Sequence, residues 1–141
     1  MARERLLQLV LRLGGVGLCL AFPTVLLPVD WMASTHESLG LGPFPRSVIV
    51  EYLARSISLL YGLHGVLLLI VARDPARYRE IVHYLAFFNI SFGVAMVVID
   101  LKTGMPWFWT LVEGPVVAGI GVVIGVLNRR AAPRERHELT A

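Results

Sequence analysis

Glu51, Arg55, Asn89, Asp100 and Glu113 each interrupt a long apolar run of this sequence. Groups in such places do one of two kinds of chemistry: they tie helices together, or they hold a proton or a small ligand. An ionisable side chain at the centre of a membrane helix costs about 2.5–3.5 kcal/mol on insertion scales, so it turns towards the bundle interior and finds a partner. Helical spacing shows which way these residues face. At 100° per residue, Glu51, Arg55, Ser58, Gly62 and Gly65 share one narrow stripe, as do Asn89, Gly93, Met96 and Asp100, and again Trp109, Thr110, Glu113 and Val117.

Arg55 and Glu113 both fall about eight residues into their segments, or roughly 12 Å at 1.5 Å per residue. They are therefore expected to meet near mid-membrane. Glu51 and Asp100 lie closer to the outer surface. The expected site is an outward-opening cluster of Arg55, Glu113, Glu51, Asp100 and Asn89, in which acids outnumber the cation. It serves either as a tie between helices or as a small-molecule or proton site.

Other chemistries find less support. His64 and His83 on neighbouring segments are weak candidates for clamping a haem, because His64 points about 140° away from the stripe of Glu51 and Arg55 on a helical wheel. His36 and His137 fall in exposed segments. The single cysteine, Cys19, excludes an internal disulfide and a Cys-rich metal site. No nucleotide-binding loop, zinc-ligand spacing or nucleophilic triad is present, so no catalytic residue, metal or cofactor is expected and the chain does not read as an enzyme.

The elements that must carry these residues follow from hydropathy. The chain has 141 residues, 56% of them hydrophobic, with a mean hydropathy of +0.69. That is too apolar for an ordinary soluble domain and predicts one integral membrane domain. Segments of about 7–27, 48–72, 81–99 and 107–127 each approach the roughly 20 residues a spanning helix needs. The fold class is all-α, a four-helix transmembrane bundle. The first segment resembles a signal peptide but is long enough to span, with no clear cleavage site before Pro28.

Of the 13 Lys and Arg, all but Arg46, Arg55 and Lys102 fall near the N-terminus, in Arg73–Arg79 or in the C-terminal tail. The formal charge of +3 is therefore a topology signal and not a nucleic-acid footprint. It predicts both termini and the central turn on the cytoplasmic side of a bacterial inner membrane, an outer loop over 28–47 and a cytoplasmic tail over 129–141. Small residues mark close helix contacts: Gly14, Gly17 and Ala21 on the first helix, and Gly114, Ala118, Gly121 and Gly125 on the last. Expected partners are the bilayer and a second copy or another membrane subunit.

Arg55 with Tyr61-Gly62, the Asp74-Pro75 turn, Asp100 through Gly104-Met105-Pro106, and Glu113 resemble in order the small bacterial DoxX-like membrane proteins, particularly the DUF4345 branch. The likeness covers most of the chain after residue 46 and implies a four-helix bundle. The missing cysteine pair departs from the thiol-linked role associated with some DoxX-like proteins. The resemblance adds little about function; the residues themselves favour a non-catalytic bundle or accessory subunit with a buried Arg/Glu/Asp cluster opening outward, with a small-molecule or proton-coupled carrier as the alternative and a haem- or quinone-binding oxidoreductase subunit as a further one.

Overall fold

The computed structural model describes residues 2–129; the expected cytoplasmic tail beyond Arg129, with His137, lies outside them. The order is α1 (Ala2–Cys19), a 3-10 turn (Phe22–Val25), α2 (Val29–Ser38), α3 (Val48–Val71), α4 (Arg79–Thr103) and α5 (Trp107–Arg129), with no strand among the described residues. Among the described residues four spans are long and apolar enough to cross a membrane: Ala2–Val25, α3, α4 and α5. Their lipid-facing sides carry exposed Leu, Val, Ile and Phe along their whole length.

The first span is not helical as far as Leu27. Pro23 has no N–H, and its ring collides with the carbonyl four residues back, that of Cys19, which is where α1 stops. The chain tightens into i→i+3 bonds, Ala21 N–H to the Leu18 carbonyl at 3.0 Å and Thr24 N–H to the Ala21 carbonyl at 3.1 Å. The outer loop contains a short helix, α2, which follows Pro28 and carries Asp30 in its first turn. It buries Met32 and Ala33 and exposes Trp31. The Ser47 hydroxyl caps α3 by accepting the Val50 N–H at 3.3 Å. Gly104, with φ of 73°, ends α4 in the left-handed conformation that glycine adopts without strain.

α4 packs most extensively on α5, α1 pairs with α3 and also touches α5, and α3 meets α4 mainly through side chains. Glycine sets the two close pairs. A Cβ on Gly65 would stand 2.6 Å from the Gly15 carbonyl, and one on Gly121 would stand 2.8 Å from the Ala86 carbonyl. Gly114 and Ala118 both press on Gly93, while Gly14 and Gly125 make ordinary contacts with Leu68 and Ala86. Gly17 has nothing within 4 Å, so its expected packing role belongs to Gly15, two residues earlier.

The buried apolar cluster of Leu7, Leu11, Leu68, Val71, Ala72, Val82, Leu85, Ala86 and Ile124 lies wholly in the half of the bundle next to the Arg73–Arg79 turn. Asn128 closes this end by donating to the Arg79 carbonyl at 3.1 Å. The other half, beside α2, contributes nothing to that cluster. There the buried groups include polar Asp100 and Thr110.

Candidate functional site

The polar residues of the α2-side half form two groups. In the first, Arg55 donates to Glu51 Oε1 from Nε at 3.1 Å and from Nη2 at 2.7 Å, and Nη1 donates to the Val25 carbonyl at 2.6 Å. The expected partner, Glu113, is not the one Arg55 takes. The reason is directional. A side chain on a helix leans towards its N-terminus, which carries the guanidinium up one turn to Glu51. Moreover, α3 packs on α1 and the 3-10 turn, where the shortened helix leaves a carbonyl to be satisfied.

The second group joins α4 and α5. Trp109 Nε1 donates to Glu113 Oε2 at 2.6 Å, one turn apart on α5. Asp100 stands one turn from Val97, whose side chain crowds Gly114 next to Glu113, and Tyr61 from α3 meets Phe92 edge-on at 6.4 Å. α4 and α5 run antiparallel and side chains lean towards their helix N-termini, so Asp100 and Glu113 lean towards each other's depth. Asp100 is only 2% exposed, and its Oδ2 accepts no hydrogen bond from the described residues. Among these residues neither acid has a salt-bridge partner.

Asn89 stands apart from both groups. Its Nδ2 donates to the Leu85 carbonyl of its own helix at 2.7 Å, and it lies eleven residues from Asp100, or roughly 16 Å along the axis. The five residues expected in one cluster are thus split into Arg55 with Glu51, Asp100 with Glu113, and an isolated Asn89.

Sequence reasoning missed Tyr61 as a site residue, since it lies off the stripe of Glu51 and Arg55; the signal available was its place in the Tyr61-Gly62 pair. It also missed a cleft of about 220 Å³ at the α2 rim, lined by Val29, Phe44, Arg46, Ser47, Val48 and Glu51. Arg46 there pairs with Asp30 at 2.7 Å, with both side chains largely exposed. His36 braces the cleft, its ring edge-on to Phe44 at 5.5 Å and its Nδ1 3.0 Å from the Gly42 carbonyl.

The haem candidates occupy separate surroundings. His64 packs on Phe88 at 5.1 Å, with Nε2 buried and unpartnered among the described residues, and His83 Nδ1 lies 3.8 Å from Glu80 at the start of α4. No group of three His, Cys, Asp or Glu side chains with metal-holding geometry occurs among the described residues.

Fold and site together define the class: a multi-pass helical membrane protein with one closely packed end and one polar end. Comparison with protein-family models, curated proteins and solved structures finds no match to this chain.

Proposed function

We propose that this chain is a non-catalytic membrane protein that receives a small molecule in a crevice at the α2 end of the bundle. The observation carrying this reading is the division of the interior: all of the large apolar cluster lies at one end, while at the other Asp100 is buried with one oxygen that accepts nothing among the described residues. An unmade hydrogen bond on a buried acceptor costs about 1–3 kcal/mol, and a donor arriving from outside the described residues would offset it. The closely packed end is scaffold. The basic residues Arg3, Arg5, Arg12, Arg73, Arg77 and Arg79 support a cytoplasmic scaffold end and an outward crevice. The resemblance to DoxX-like proteins agrees with a bundle of this kind and adds no chemistry to it.

Cysteine labelling tests the reading. In a Cys19→Ala background, a membrane-impermeant thiol reagent added to intact cells is expected to label Ser34→Cys on exposed α2. A small hydrophilic methanethiosulfonate is expected to modify Tyr61→Cys at least about tenfold faster than Val82→Cys in the packed end, since thiol modification follows access. Equal rates at half-buried position 61 and buried position 82 would remove the crevice, and labelling of Ser34→Cys only after cell lysis would reverse the orientation.

A further inference from the structure

We propose that the crevice binds a protonated organic amine, with Asp100 Oδ2 accepting an ammonium N–H and Glu113 supplying the second negative charge. This rests on the crevice reading and names its ligand class.

Asp100 Oδ2 is buried and lacks any hydrogen-bond donor among the described residues, so it calls for a donor from outside them. Charge points the same way. Among the described residues neither Asp100 nor Glu113 has a cation bound to it, because Arg55 is engaged by Glu51 and the Val25 carbonyl. Two carboxylates in low dielectric attract a cation strongly. Aromatic residues stand at this end of the bundle: Tyr61, edge-on to Phe92, and Trp109, which donates to Glu113. Rings of this kind favour an organic cation, whose charge sits over the π-face and whose apolar body packs against the ring.

A hard metal ion fits less well. Calcium takes about 6–8 oxygen ligands, and one of the few acceptor oxygens here, Glu113 Oε2, already takes the indole N–H. The unused acceptor also separates amines from quaternary ammonium ions. The latter carry the charge without an N–H, and would leave Asp100 as it is.

The probes are phenylethylamine, phenyltrimethylammonium and the uncharged 2-phenylethanol, measured by equilibrium binding to the full chain in nanodiscs of zwitterionic lipid. Phenylethylamine is expected to bind saturably, phenyltrimethylammonium at least about tenfold more weakly, a difference of about 1.4 kcal/mol, and phenylethanol not at all. Asp100→Asn, nearly isosteric, is expected to weaken amine binding at least about tenfold with helix content and elution volume unchanged. Glu113→Gln serves as the second variant should Asp100→Asn misfold, with a smaller loss expected.

Absence of saturable amine binding, equal binding of amine and alcohol, or undiminished binding in the folded variants would overturn the proposal. The Tyr61→Cys rate separates the two failures. Fast labelling without amine binding removes only the ligand class; slow labelling removes the crevice itself.

Discussion

Replacing Gly93 with valine is expected to leave little or no folded protein. Its new Cβ would press on the Gly114 carbonyl and lie 2.6 Å from the Ala118 amide nitrogen, both backbone atoms of α5. A side-chain end could swing aside, but backbone cannot move without parting the α4–α5 pair, the most extensive in the molecule. Overpacking in an interior with some freedom costs about 1–3 kcal/mol, and here the cost should exceed that range. Set against a typical stability of about 5–15 kcal/mol, it is enough to deplete the folded state. Gly119→Val is the control: a Cβ there meets nothing within 4 Å. Helicity and monodispersity in detergent should collapse for Gly93→Val and stay at the wild-type level for Gly119→Val. Equal behaviour of the two would mean that α4 and α5 do not pack through Gly93.

Removing Arg55 alone is expected to be the second most damaging change. Arg55→Leu strands the Glu51 carboxylate and the Val25 carbonyl together, and hydrogen bonds to charged groups contribute about 1.5–3 kcal/mol each way they are measured. A loss of about 2 kcal/mol in SDS-induced unfolding is expected. Removing both members of an ion pair costs less than leaving one charge alone, so Arg55→Leu with Glu51→Leu should recover much of that loss. Arg55→Leu with Glu113→Met should show near-additive losses, because Arg55 does not bond Glu113. The opposite coupling, strong with Glu113 and absent with Glu51, would restore the mid-membrane pair that depth alone suggests.

The contrast between those double variants locates the boundary between sequence and structure. Spans, their number and the residues turned inward are legible residue by residue, because a bilayer demands a certain length of apolar helix and forbids charge on its lipid side. Helical periodicity then places Arg55, Asp100 and Glu113 inside. Periodicity does not say which helix a stripe faces. That depends on the order of helices around the bundle, which close glycine contacts decide: Gly15 on Gly65 draws α3 to α1, and Gly93 on Gly114 draws α4 to α5.

Gly15 and Gly17 illustrate the same limit. Both are small residues on one apolar helix, and only the crossing point of α1 and α3 selects the first. The break at Pro23 was not read from the first apolar span, and the Val25 carbonyl meets Arg55 only because α3 passes beside it. Charge, length and face were thus properties of the chain read singly. The Val25 partner of Arg55, the isolation of Asn89 and the oxygen of Asp100 left without a donor among the described residues belong to the packing, because each depends on which helix passes beside the residue.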